Sequence, residues 1–207
     1  MNLANKLTLL RVILAPVFLI IYLSHKFFLN SDAPAEFVFW TVPVLWCVFI
    51  ISEITDYFDG LAARKLNLTS GFGKLFDPFA DTLMQVTCFF CFVIDGIWGD
   101  NIIPILLFIL LVYREFGILF VRNLMLKKGV TLGARTGGKI KTVAYIIAIG
   151  AALLAVSCER LGIFESLQPY LKTGSLVIFA ISVILAVISF FDYLYVYNKT
   201  EKAAEIN

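Results

Sequence analysis

Apolar residues fall into six blocks, at 8–24, 36–54, 79–98, 102–121, 143–158 and 173–196, and the short stretches between them carry much of the charge. Most blocks approach the ~20 residues that a helix rising 1.5 Å per residue needs to cross a bilayer. The block 143–158 is short, but it reaches that length if it extends back over 139–142. The pattern predicts an all-α, polytopic integral membrane protein with six transmembrane helices. The first block follows a weakly basic start, and no small-x-small cleavage site follows Leu23. It therefore reads as an uncleaved helix rather than a leader.

Composition agrees with this reading. Of 207 residues, 60% are hydrophobic, well above the roughly 45–50% of soluble domains. Mean hydropathy is +0.91. The length suits a single membrane domain spanning 1–207, without room for further domains and linkers. A net charge of +2 is uninformative, but its distribution is not. With the N-terminus in the cytoplasm and connections alternating sides, fourteen of the 17 Lys and Arg fall on the cytoplasmic side, leaving Lys26, Arg160 and Lys172 opposite. This positive-inside asymmetry predicts that both termini face the cytoplasm from the cell (inner) membrane. The four cysteines, Cys47, Cys88, Cys91 and Cys158, lie in or at the ends of apolar blocks. Cys88 and Cys91 have C-x-x-C spacing, but no second pair or nearby His completes a zinc set, so all four read as small buried hydrophobes. Nothing points to a nucleic-acid partner.

One charged stretch breaks the apolar pattern: D-Y-F-D-G-L-A-A-R at 56–64, eight residues, then G-K-L-F-D-P-F-A-D at 73–81. Charge at membrane depth is costly and rarely idle. Asp56 and Asp59 are three apart, so on a helix they share a face. Gly73, Asp77 and Asp81 recur every four residues and form one stripe on the next helix. Gly60 and Ala63 allow close approach, and Arg64 can grip a phosphate with its planar fork. Pro78 either opens the third helix or kinks it. Four carboxylates at this density repel one another unless cations neutralise them, and oxygen donors suit a hard ion such as magnesium. Two divalent ions about 3.5–4 Å apart would clamp a pyrophosphate and a nucleophile. A merely solvated loop does not explain carboxylates at helical spacing interleaved with Phe58, Phe76 and Phe79.

The pattern D-x-x-D-G-x-x-A-R-x8-G-x-x-x-D-x-x-x-D resembles the signature of the CDP-alcohol phosphotransferases at every fixed position. The resemblance implies a six-helix membrane homodimer with two divalent cations, Mg or Mn. Such enzymes move a phosphatidyl or similar group from a CDP-linked donor to an alcohol and release CMP. It implies that Asp56, Asp59, Asp77 and Asp81 hold the metals and that Asp81 also deprotonates the acceptor. It implies that Gly60, Arg64 and Ser70 contact the donor, CDP-diacylglycerol.

The opening N-L-A-N-K-L-T-L-L-R-V-I-L-A-P, R-E-F-G at 114–117 and G-K-I-K-T at 138–142 are similar to segments of bacterial enzymes of this family that use sn-glycerol 3-phosphate as acceptor. The likeness covers roughly residues 2–145. Three positions depart from the usual pattern: Ala4 in place of Pro, Thr82 in place of Lys, and Glu53 where a small hydroxyl residue is common. Glycerol 3-phosphate is a dianion and needs fixed cations. Arg114, Lys139 and Lys141 are the candidates for its phosphate. Arg114, beside Glu115 in an apolar run, either binds the acceptor or joins helices by pairing with Glu115. Lys139 and Lys141, two apart, converge only if Gly137–Gly138 hold the backbone irregular; otherwise they suit lipid headgroups. Lys127 and Lys128 read as headgroup anchors. The resemblance leaves sibling acceptors open (phosphatidylglycerol, serine, inositol phosphate). A divalent-cation transporter is the reading of a different class, although its acids would run through the midplane.

Overall fold

The computed structural model describes residues 3–28, 35–66, 73–127 and 136–205. Among them the chain forms six long helices: α1 (Leu3–Phe28), α2 (Ala35–Leu66), α3 (Gly73–Asp95), α4 (Ile102–Lys127), α5 (Thr136–Arg160) and α6 (Gln168–Glu205). Each contains a stretch long and apolar enough to cross a membrane. The protein is all-helical and multi-pass, as its hydropathy predicts. Helices satisfy their own backbone hydrogen bonds, which lipid cannot do for them.

The helices outrun the apolar blocks. α2 continues past the block ending at 54 to Leu66, and α3 begins at Gly73 rather than 79. The aspartate-bearing segments are thus terminal turns of membrane helices. Pro78 lies inside α3, not at its first turn. Two helix ends show how sequence stops a helix. After α3, Gly96 takes φ +70°, its N–H reaches the Val93 carbonyl (3.2 Å), and Ile97 N–H reaches Phe92 (3.4 Å). After α5, Gly162 (φ +61°) bonds Glu159 (3.2 Å) and Ile163 bonds Cys158 (3.0 Å). Both are glycine-closed C-caps, which tolerate the left-handed turn and satisfy orphan carbonyls.

α1 packs on α2 and α3, α5 on α6, and α4 on α6 and α3. The core where these meet is aromatic. Phe89 stacks on Phe179 (centroids 4.4 Å apart), and Trp98 stacks on the same ring at 4.9 Å. Phe18, Leu45, Met84, Phe92, Leu111 and Ile149 fill the rest. Indole N–H groups that cross the core find hydroxyls: Trp46 donates to Ser157 Oγ (3.0 Å) and Trp98 to Ser175 Oγ (2.9 Å). Many large apolar side chains are exposed, among them Trp40, Ile188 and Phe191, as a lipid-facing surface requires. Cys88, Cys91 and Cys158 are buried free thiols, as expected, whereas Cys47 is on the exposed surface.

The two ends of the bundle are locked differently. At one end Asp95 of α3 accepts from Tyr22 Oη (3.0 Å) and pairs with Lys26 (2.9 Å) and Arg160 (3.8 Å), tying α1, α3 and α5. At the other end lie the last turns of α2, α4 and α6 and the first turns of α1, α3 and α5. That end carries the sequence motif.

Candidate active site

Asp56 sits near the end of α2, and the buried Arg11 of α1 donates to its Oδ1. Thr8, one turn before Arg11, donates to Oδ1 of Asp77 on α3. One face of α1 thus holds a carboxylate from each neighbour. This explains why a first helix that is otherwise apolar buries a hydroxyl and a guanidinium. Asp77 and Asp81 lie on successive turns of α3, and Asp81 Oδ1 accepts from Gln85 Nε2 (2.8 Å). Among the described residues, the second oxygen of each of these three carboxylates accepts no hydrogen bond.

Asp59, Gly60 and Arg64 belong to the last turns of α2, but their side chains, like that of Lys139, lie outside the described residues, as does Ser70 entirely. Among the described side chains, no group of three or more His, Cys, Asp or Glu converges on one point. The donor chemistry nonetheless fits a hard divalent ion: Asp56, Asp77 and Asp81 are carboxylates at one end of the bundle, and among the described residues Asp56 and Asp77 each keep one oxygen unengaged.

Next to Asp81 opens a cavity of about 190 Å³, walled by α3, α4, α5 and α6. Asp81, Arg114, Glu115, Arg122, Lys141 and Tyr193 supply its polar lining. The structure separates these cations. Arg114 is consumed: Nη1 bonds Glu115 Oε1 (2.8 Å), Nε the Ala186 carbonyl (2.9 Å) and Nη2 Ser189 Oγ (3.5 Å). It lines the cavity, but its donors bind α4 to α6. Lys141 is also committed, to Glu115 Oε1 (2.9 Å) and Gln85 Oε1 (3.0 Å), with its ammonium 4.3 Å from the Tyr145 ring centre. Glu115 therefore neutralises two cations at once, and Thr82 adds a hydroxyl at 3.3 Å from its Oε2. Arg122 is different. It makes one long bond, Nη2 to Tyr193 Oη at 3.3 Å, and stands 5.7 Å from that ring's centre. Arg122 lines the cavity, and among the described residues the bond to Tyr193 is its one hydrogen bond.

Arg114 and Lys141 both line the cavity, where the sequence expects a phosphate to be held. Arg114 shows the pairing role that its neighbour Glu115 suggested. α5 is helical from Thr136, so Gly137–Gly138 do not interrupt it, and the side chain of Lys139 lies outside the described residues. Sequence reasoning passed over Arg122, Tyr193 and Gln85. Arg122 follows Arg114 by eight residues, a helical spacing that could have marked it. Tyr193 and Gln85 left no such mark in a run of apolar helix.

Comparison with known proteins bears on what this end of the bundle does. A sequence profile described as CDP-alcohol phosphatidyltransferase matches residues 1–189. A "CDP-diacylglycerol--glycerol-3-phosphate 3-phosphatidyltransferase" of Treponema pallidum is 38% identical over 71% of this chain; the match spans 66% of that relative's length, just under two thirds. One of the same name from Bacillus subtilis is 37% identical over 74% of this chain and 77% of its own. A "Probable phosphatidylglycerophosphate synthase" of Mycobacterium tuberculosis is 33% identical over 93% of this chain and 80% of its own. A match over most of the chain, joined to an intact signature of eight fixed residues at the end of α2 and the start of α3, places it: the chain belongs to the CDP-alcohol phosphatidyltransferase family.

Proposed function

We propose that the protein transfers the phosphatidyl group of CDP-diacylglycerol to sn-glycerol 3-phosphate, giving phosphatidylglycerophosphate and CMP. The observation that carries this reading is the cavity beside Asp81. The Asp81 carboxylate borders a pocket of small-metabolite size that Arg122, with one long hydrogen bond among the described residues, also lines, next to the buried Arg114 and Lys141. A phosphorylated acceptor needs a cationic pocket, and a phosphate-free alcohol does not. The names of the relatives support the same acceptor.

In this reading Asp56, Asp59, Asp77 and Asp81 hold two divalent cations, Mg or Mn, which when bound neutralise the donor's diphosphate. Gly60, Arg64 and Ser70 contact the CDP moiety. Arg122 binds the acceptor's phosphate, with Tyr193 orienting its guanidinium. Arg114 and Lys141, held by Glu115, contribute positive potential from behind, and Lys139 serves lipid headgroups. Asp81 takes the proton of the acceptor's 1-hydroxyl. That oxygen bonds to the β-phosphorus as the bond from phosphorus to the CMP oxygen breaks, so CMP leaves carrying the electron pair. The acyl chains stay in the bilayer among the helices. The chain works as one domain, 1–207, in a homodimer in the cell membrane, with this end of the bundle facing the cytoplasm.

Asp77→Asn keeps size and removes charge. It and Asp56→Asn should each, singly, lower CMP release by several orders of magnitude in saturating magnesium, because positioning and charge neutralisation both depend on the carboxylates. Near-native release by either variant would rule out their role as ion ligands.

A further inference from the structure

Gln85 is almost fully buried, yet it is polar and sits one helical turn beyond Asp81. Both ends of its amide are used. Nε2 donates to Asp81 Oδ1 at 2.8 Å, and Oε1 accepts from Lys141 Nζ at 3.0 Å. Lys141 is held in turn by Glu115 Oε1 (2.9 Å), and Glu115 by Arg114 Nη1 (2.8 Å). A continuous polar chain thus runs Arg114–Glu115–Lys141–Gln85–Asp81 through the wall of the cavity. Its direction is fixed. An ammonium can only donate, so it sets which end of the amide faces it, and the NH2 end must then point at Asp81. A buried amide with both ends satisfied is rigid, because breaking either bond strands a polar group out of water.

The consequence lies at Asp81. A neutral amide stands between the Lys141 ammonium and the carboxylate, so Asp81 is gripped without being locked in a direct ion pair. The grip takes Oδ1 alone. Among the described residues, Oδ2 has no partner. We propose that Gln85 is a positioning residue for the transfer reaction: it holds Asp81 by Oδ1 and so presents the other carboxylate oxygen to the acceptor hydroxyl in the cavity. The inference rests on the reading of Asp81 as the base. The rival is that Gln85 merely fastens α3 to α5 through Lys141.

Two substitutions of the full-length protein, purified in lipid nanodiscs, separate these. Gln85→Met keeps length and removes both bonds. Gln85→Glu keeps, and strengthens, the bond to Lys141 but replaces the donor facing Asp81 with a second carboxylate oxygen. Steady-state CMP release is measured against CDP-diacylglycerol and glycerol 3-phosphate, with melting temperature alongside. Both variants should lose kcat by roughly 10- to 100-fold, the scale of a small misplacement at a reacting group, with KM for each substrate changed less than about threefold. A fastening role predicts otherwise: Gln85→Glu, with its α5 bond intact, would turn over at the native rate, and that result overturns the proposal. So does a Gln85→Met protein with native kcat. Should Gln85→Met fail to fold, Gln85→Glu decides alone. Asp81→Asn in the same assay isolates the premise. If Asp81→Asn stays active, the base reading itself fails. If Asp81→Asn is inactive and the Gln85 variants are native, only the positioning inference fails.

Discussion

Three cations of the cavity carry equal formal charge and unequal chemistry, and their bonding partners decide which does what. Glu115 is buried between Arg114 and Lys141, and its loss would leave two ammonium-like charges without a counterion in an apolar wall. Removing one partner of such a buried set typically costs about 3–5 kcal/mol. Glu115→Gln should therefore lower the melting temperature and yield of the purified protein. Arg122 has only its long bond to Tyr193 to lose among the described residues. Arg122→Gln should leave melting nearly unchanged and raise the KM for glycerol 3-phosphate by about 10- to 150-fold, the equivalent of a charged hydrogen bond of roughly 1.5–3 kcal/mol, with KM for CDP-diacylglycerol little affected. If Arg122→Gln instead melts early and Glu115→Gln shifts only the acceptor KM, the two roles are exchanged. The aspartates were legible in the sequence because helical spacing in an apolar background is a loud signal. The division of labour among the cations was not. It depends on which donors a neighbour has already taken, and Ala186 and Ser189 lie some seventy residues from Arg114.

At the scale of helices, the sequence R-E-F-G does two jobs. Its first two residues supply the buried pair, and Gly117, one turn on, lets α4 close on α6. A Cβ at Gly117 would stand 3.0 Å from two ring atoms of Phe190, tighter than packed atoms tolerate without a shift. Small residues at helix crossings in membranes allow this approach. Gly117→Ala should destabilise by about 1–3 kcal/mol, the usual cost of overpacking, and Gly117→Ala combined with Phe190→Leu should recover most of it by making room. Measured melting temperatures that are no lower in the single variant would mean the contact is loose. The number and order of the helices could be read from apolar blocks alone. Their true ends could not, because α2 and α3 extend as amphipathic and charged turns beyond the apolar zone, held by Arg11 and Thr8 of a helix far earlier in the chain. Hydropathy sees lipid contact and is blind to such ties. The same blindness hid the regular start of α5 at Thr136.

Across the whole molecule, an up-and-down bundle of six helices gathers Arg11, Asp56, Asp77, Asp81, Arg122 and Lys141 at one end and the Asp95 cluster at the other. The excess of Lys and Arg on the aspartate side argues that this end faces the cytoplasm. In intact cells, a single cysteine at Asn67, introduced after replacing the four native thiols, should resist a membrane-impermeant maleimide added outside and react once the membrane is permeabilised. Labelling from outside would invert the topology. The central claim is narrower: this end of the bundle transfers a phosphatidyl group, and glycerol 3-phosphate receives it. The most direct measurement offers the purified native protein labelled CDP-diacylglycerol, magnesium, and glycerol 3-phosphate in competition with serine, inositol phosphate and phosphatidylglycerol, and identifies the lipid product. The account predicts CMP and phosphatidylglycerophosphate in equal amounts, with the other acceptors neither consumed nor inhibiting strongly. Labelled phosphatidylserine, phosphatidylinositol phosphate or cardiolipin as the main product would contradict the acceptor, and no CMP at all would contradict the chemistry.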